Sequence, residues 1–500
     1  AFWLKRSRRM AFAMLRAAAC VLAVATSSAF AADPSPFCAK YHPIHDGGVY
    51  DPSGPLLDGG GVWHQWEDKG AWSHWTSRDL IHWDGSFQVS TGFGGDTGSV
   101  SPTSSGVYAF WPIMSGEGRG SIGSAKALDA GLSKWMHRGP TIPMPARINT
   151  GYRDPVRAFE YNSKWYVGVG CGNREEGAQF CLFEAADDTL ANFTDRGSLY
   201  TTNVTFGEVD RNIVWQPQNV SANMMECPDL FPLGNKWVLI GSLYKTNQWW
   251  VGTLSGNPPR FTPEQVGILD YGNGYAAKTG STMVQSGSSR RLVFGFTGWS
   301  EPTMPPGCGR ALIIPRELTI VGSELLVNPI AETSILRKPG SHTPVVDAAL
   351  AKALALGSQV EVRLNCSAPT SKGKVGVRIL STVDGKAFTE IGYDFAKETA
   401  YVDHSKCCAA PNSIVQSAPH PAPARANHVE LAVFVDGGLI EAFVSGRVLT
   451  PLITPDPAAG APEERVSTVF NAAGAACTVE SWQLAYRINS RGAEPSMVFV

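Results

Sequence analysis

Charge is scarce in this chain, and what there is nearly cancels. Only 17% of the 500 residues are charged, and 42 Lys and Arg against 44 Asp and Glu leave a formal net charge of -2. Such a balance gives no electrostatic footing for nucleic acid or for an anionic membrane surface. Long apolar runs are scarce too: the one at 17–25 is too short to span a bilayer, and no later stretch is long enough. No Cys-x-x-Cys pair has a companion pair, so no zinc or other metal site is expected. No dinucleotide fingerprint or phosphate loop stands in a sensible place, so no organic cofactor is expected either. A sustained helical period is missing from about 41 to 326, which excludes a mainly helical fold over that span.

What is abundant is glycine (52), tryptophan (15) and tyrosine (13) in a chain that is 43% hydrophobic. That mixture suits a β-rich protein with many tight turns and an aromatic-lined site for a neutral ligand such as a sugar. The length allows more than one core, and two domains are the natural expectation. From about 41 to 326, strand-length runs rich in aromatic and β-branched residues recur between turn formers. Gly61-Val-Trp-His-Gln-Trp66, Lys164-Trp-Tyr-Val-Gly-Val169 and Lys236-Trp-Val-Leu-Ile-Gly241 are examples. The regular order of polar turn, aromatic strand and turn favours a propeller over a large sandwich. A Pro- and Gly-bearing linker follows at 328–344, then an alanine-rich stretch, 346–356, that predicts one short helix. Clear strands come after it, with Asp436-Gly437-Gly438 as a hairpin turn, so the second domain reads as a β-sandwich. The Pro-rich 419–423 segment reads as a surface loop.

The N-terminus has the features of a secretory leader: Arg16, the apolar 17–25 core and the small-residue Ala29-Phe30-Ala31 site. Residues 1–32 are therefore expected to be leader, with 1–9 standing ahead of an initiator-like Met10. Outside the leader nine cysteines remain, so at least one is unpaired, and Cys171 and Cys181 could pair across a hairpin. Four sequons, at Asn192, Asn203, Asn219 and Asn365, are glycosylation acceptors if the host is eukaryotic.

Three acidic motifs stand at turn or strand positions of the first domain: Tyr50-Asp51-Pro52, Arg153-Asp154-Pro155 and Glu226-Cys227-Pro228-Asp229. Each sets a proline beside a carboxylate, which fixes the local backbone. Retaining glycoside hydrolysis needs two carboxyl groups about 5 Å apart, one nucleophile and one acid/base. A propeller can bring residues distant in sequence to one axial cleft.

These motifs resemble glycoside hydrolase family 32, the invertases and fructan-active enzymes. Tyr50-Asp-Pro-Ser-Gly54 resembles the family's Asn-Asp-Pro-Asn-Gly box, and Val62-Trp-His-Gln65 the strand after it. The run from Trp72 to Trp83 is similar to the family's Trp-Gly-His…His-Trp run. Gly98-Ser99-Val100, with Asp96 just before it, resembles the Ser-Gly-Ser-Ala box. Arg153-Asp154-Pro155 and Glu226-Cys227-Pro228-Asp229 match two further boxes letter for letter. Phe434 to Phe443 is similar to the family's sandwich hairpin. The likeness runs from about Tyr41 to Ile488.

The resemblance implies an all-β fold: a five-bladed β-propeller over 33–335, carrying the catalytic residues, and a β-sandwich over 345–490. It implies Asp51 as nucleophile, Glu226 as general acid/base and Asp154 as stabiliser of the transition state. Arg153, Gln65, Trp66, Trp72, Ser99 and Asp229 are the implied sugar-binding residues. Trp63, Trp75 and Trp83 fit core packing as well as ligand contact. The implied substrate is sucrose or a fructan, and the implied enzyme is a secreted retaining β-fructofuranosidase. A fructosyltransferase on the same scaffold, or a non-catalytic fructan binder, is the alternative. Three departures bear on the acceptor: Tyr50 and Ser53 replace the box's asparagines, and Met225 replaces a common tryptophan before Glu226.

Overall fold

The structure, a computed structural model, describes residues 34–485 apart from 45–47, 69–70, 87–92, 116–118, 203–223, 244–245, 282–289, 299–303, 348–352, 409–414 and 420–426. The leader segment and the sequons at Asn203 and Asn219 lie outside the described residues.

Five antiparallel sheets follow one another along the chain, over 52–86, 99–143, 152–202, 226–268 and 275–329. Strands within each are joined mostly to their sequence neighbours, as in the blades of a propeller. The innermost strands are Pro52–Leu57, Ser99–Thr103, Tyr152–Pro155, Glu226–Leu233 and Tyr275–Ser281. That of blade 1 touches those of blades 2 and 5, and that of blade 4 touches those of blades 3 and 5. The strand of blade 3 also packs on blade 2, so the five sheets close a ring around one axis. This is the five-bladed propeller.

Between blades lie aromatic-rich cores. Trp66, Trp72, Phe93 and Trp111 fill the space between blades 1 and 2. Met225, Leu239 and Trp250 pack with Phe180 and Leu199 between blades 3 and 4. Trp63, Trp75 and Trp83 are buried against Phe294 and its neighbours, so these three are core.

The second domain is two six-stranded sheets face to face. Val360, Val362 and Leu364 alternate inward from one sheet and meet Val375, Val377, Ile391 and Val402 of the other, the period-2 pattern of a sandwich core. Asp436 pairs with Leu439 across the expected two-residue turn, where Gly437 has φ of 63°. Where the stretch expected to be helical, 346–356, is described, it is strand at its two ends: Thr343–Asp347 pairs with the strand ending at Gln483, and Ala355–Leu356 with Val466–Ser467, while 348–352 lie outside the described residues. Helix preference is worth only a few tenths of a kcal/mol per residue, and at those two ends sheet pairing overrides it. Val415–Pro419 is likewise a strand, and the rest of the proline-rich segment lies outside the described residues.

The two domains share a buried polar junction. His42 bridges Asp436 (2.9 Å) and Glu441 (3.0 Å), and Arg316 of blade 5 donates to Glu441, Asp270 and Thr450 at 2.7–2.8 Å. Phe434 and Phe443 of the sandwich join the apolar cluster of Ile314, Leu318 and Leu325 beside it. Four disulfides are formed, Cys38–Cys308, Cys171–Cys181, Cys366–Cys477 and Cys407–Cys408, and Cys227 is the free thiol among the described residues.

Candidate active site

The axial ends of the innermost strands are distorted in a recurring way. The ladder slips at Gly54 in blade 1, Asp154 in blade 3, Cys227 in blade 4 and Ala276 in blade 5. Each of these residues is left-handed, with φ of 52°, 61°, 43° and 52°. Bulges re-aim side chains and concentrate at functional sites. At Gly54 glycine is required twice over, since a Cβ would lie 2.6 Å from the Val100 nitrogen.

These bulges bring the three acidic motifs together through one residue. The Cys227 N–H donates to Asp154 Oδ2 at 2.8 Å, while its Sγ lies 3.4 Å from Asp51 Oδ2. Thr97 Oγ1 donates to the same Asp51 oxygen at 2.7 Å. Glu226 adjoins Cys227; its Oε1 pairs with Arg153 Nη2, and its Oε2 accepts from the Tyr275 hydroxyl at 2.6 Å. Arg153 Nε is also 3.9 Å from Asp154 Oδ2. Blades 1, 3 and 4 thus each deliver one carboxylate, with Arg153 and Tyr275 holding the third.

Burial makes Asp51 and Asp154 costly to ionise. Asp154, 2% exposed, has its carboxyl pushed up to about 7 by desolvation, against the pull of Arg153 and Lys278. Asp51 is pushed up to about 6, again by desolvation first, with Thr97 and Cys227 holding it down and Glu226 repelling it. The Cys227 thiol is pushed well up by burial and by the surrounding carboxylates, so it is a neutral donor.

The remaining expected residues are placed as follows. Gln65 and Ser99 are buried, and Gln65 Nε2 and Ser99 Oγ have no hydrogen-bond partner among the described residues. Trp66 and Trp72 are 0% exposed. Trp66 stacks on His74 with centroids 4.7 Å apart, and Trp72 lies against Phe93 and over Gly98. Both are packing residues, and neither is open to a ligand. Trp72 still serves the site indirectly, because its Nε1 donates to the Asp96 carbonyl at 2.9 Å. Asp229 is turned away into the wall between blades 4 and 5. Its Oδ2 accepts from the Thr279 N–H (2.8 Å) and hydroxyl (2.7 Å), and its Oδ1 from the Leu230 N–H.

Of the three departures, Met225 is wholly buried and Ser53 accepts the Gly98 N–H at 2.9 Å. Tyr50 is half-buried, with the Arg310 guanidinium 4.7 Å from its ring centre. Sequence reasoning passed over Thr97 and Tyr275; a hydroxyl one residue after Asp96 and a tyrosine in a Gly-rich turn carry little signal alone. Among the described residues no group of three or more His, Cys, Asp and Glu side chains is set to hold a metal ion. No helix among them is long and apolar enough to cross a membrane.

Known proteins share this sequence pattern and fold. The sequence model of the glycosyl hydrolases family 32 N-terminal domain matches residues 51–329, and that of the family's C-terminal domain matches 332–485. A levanase of Bacillus sp. (strain L7) is 28% identical over 483 residues, covering 84% of this chain and 49% of that protein. The chain therefore spans about half the length of that relative. A sucrose-6-phosphate hydrolase of Salmonella typhimurium is 26% identical over 333 residues, covering 59% of this chain and 67% of the other. In structure, fructan 1-exohydrolase IIa from Cichorium intybus superposes with a TM-score of 0.74 at 18% identity, over 91% of this chain and 98% of that one. With matched models over both the propeller and the sandwich, the chain belongs to glycosyl hydrolases family 32.

Proposed function

We propose that this protein is a retaining β-fructofuranosidase that releases fructose from sucrose or fructans. Asp51 is the nucleophile, Glu226 the acid/base and Asp154 the residue that steadies the fructosyl group as charge builds on it. The observation that carries the reading is the Cys227 link, which holds Asp51 and Asp154 to the residue next to Glu226.

The steps follow from the groups present. An Asp51 oxygen bonds to the anomeric carbon as the bond to the leaving oxygen breaks, and the Glu226 carboxyl gives its proton to that oxygen. Water then attacks the same carbon, its proton passes to Glu226, and Asp51 departs as a carboxylate. Arg153 and Tyr275 fix Glu226 at both oxygens, so it is positioned before substrate arrives. Gln65 and Ser99, each with a spare polar atom, support the reading as partners for fructosyl hydroxyls. Four disulfides fit an oxidising compartment, which supports secretion.

The test is a time course on sucrose, inulin and levan, with free glucose and free fructose measured separately. Equal release from sucrose marks water as the acceptor; glucose in excess with longer saccharides marks fructosyl transfer. Asp51→Asn and Glu226→Gln should each lose at least about 1000-fold in turnover. Wild-type rates in Asp51→Asn would overturn the assignment.

A further inference from the structure

Beside the three carboxylates, a cleft opens between blades 1 and 2, lined by Asp68, Gly94, Gly95, Asp96, Trp111 and Met114 among others. Its lining is bonded to the segment that carries Asp51. The Asp68 N–H donates to the Asp51 carbonyl at 3.1 Å, and the residue after Asp96 is Thr97, which holds the Asp51 carboxylate. Asp96 is unusual in its backbone: φ is 73°, a left-handed conformation that non-glycine residues seldom adopt. The Trp72 indole clamps its carbonyl at 2.9 Å, so the core between the blades sustains that conformation. Strain of this kind persists where the surroundings over-determine it, and it gathers at ligand sites.

Resting on the fructosidase reading above, we propose that Asp96 binds hydroxyls of the leaving sugar in this cleft and confines that sugar to unphosphorylated ones. Three observations place the leaving group here. Asp96 lines the cleft one residue before Thr97, which holds the Asp51 carboxylate, so the cleft borders the nucleophile. A carboxylate lining a cleft is the chemistry that holds neutral polyols, by accepted hydroxyl bonds. Asp68 adds a second carboxylate to the same cleft, so a phosphate dianion on the leaving sugar would meet like charge. The substrate class is therefore sucrose and fructans rather than phosphorylated sucrose.

The experiment compares wild type with Asp96→Asn and Asp96→Gly, both compatible with the left-handed backbone. Substrates are sucrose, sucrose 6-phosphate and an aryl β-fructofuranoside, whose leaving group carries no sugar hydroxyls. Wild type should favour sucrose over sucrose 6-phosphate at least about tenfold in kcat/KM. Both variants should raise KM for sucrose by about tenfold, the scale of a lost hydrogen bond to a charged group. They should narrow the preference over the phosphorylated sugar and leave the aryl fructoside within about twofold. A loss shared equally by sucrose and the aryl fructoside would make Asp96 merely structural and overturn the proposal, as would unchanged kinetics. Should wild type release no fructose from any donor, the fructosidase reading falls, and calorimetric titration with sucrose decides separately. Weaker binding in Asp96→Asn than in wild type would then uphold the role of Asp96, and equal binding would refute it.

Discussion

Replacing Asp154 with Asn should stabilise this protein at neutral pH while disabling it. Asp154 is 2% exposed and its carboxyl is carried from an ordinary 3.8 to about 7. A tenfold change in proton affinity is about 1.4 kcal/mol, so holding this group ionised in the fold costs up to about 4 kcal/mol. The sign follows from linkage. The folded state binds the proton more tightly than the unfolded chain, so wild type loses stability as pH rises from about 4 to about 7 and is level above that. Asparagine is neutral throughout, keeps an oxygen for the Cys227 N–H, and tolerates the left-handed backbone as well as aspartate does. The variant should therefore exceed wild type by about 2–4 kcal/mol at pH 8 and match it at pH 4. Other titrating groups are common to both proteins and largely cancel in the difference. Thermal unfolding of the two proteins at several pH values, alongside fructose release, measures both halves of the claim. A variant no more stable than wild type at pH 8, or equally favoured at pH 4 and pH 8, would show that the ionised carboxylate is fully compensated and refute the reasoning.

Three further outcomes are expected. The acid limb of kcat/KM should fall near pH 6, where Asp51 loses its charge; a limb in the ordinary carboxylate range near 4 would contradict the burial argument. Tyr275→Phe removes the hydroxyl donated to Glu226 at 2.6 Å and should lower kcat by about 10- to 100-fold without changing the melting temperature, as kinetics and calorimetry would show. Arg316→Met strands the buried carboxylates of Asp270 and Glu441 at the domain junction and should cost about 3–5 kcal/mol, read by denaturant unfolding.

Much of the architecture was legible because strands announce themselves locally. Aromatic and β-branched runs between turn formers became blade strands, and Asp436-Gly437-Gly438 became the hairpin it resembled. The pairing of Cys171 with Cys181 also followed from a short span between two strands. The three carboxylates were legible as motifs, each pinned by a proline. Burial was not legible. Trp66 and Trp72 have the composition of a sugar-binding wall, yet their surroundings, supplied by Phe93 and Trp111 of other segments, make them core. Thr97 and Tyr275 touch partners 46 and 49 residues away, so no local pattern could announce them. At the two ends of the alanine-rich 346–356 the chain is strand, because helix propensity is weak beside a strand partner more than a hundred residues later.

The site and the fold pull against each other, and the ring shows where the tension is absorbed. Closing five sheets around one axis crowds their innermost strands, and regular ladders there would turn alternate side chains into neighbouring blades. The bulges at Gly54, Asp154, Cys227 and Ala276 break that alternation at one end of the axis. Three carboxylates can then converge although burial, and after it the charge of Glu226, works against the ionised forms of Asp51 and Asp154. Arg153 and Lys278 offset part of that cost from within, Lys278 anchored on the Pro228 carbonyl at 2.8 Å. The remainder falls on the interblade cores and on the junction with the sandwich. There Arg316 of blade 5 ties Asp270, at the approach to the innermost strand that carries Tyr275, to Glu441 of the second domain. Loosening that junction should therefore disturb the placement of Tyr275 against Glu226 before it unfolds the propeller.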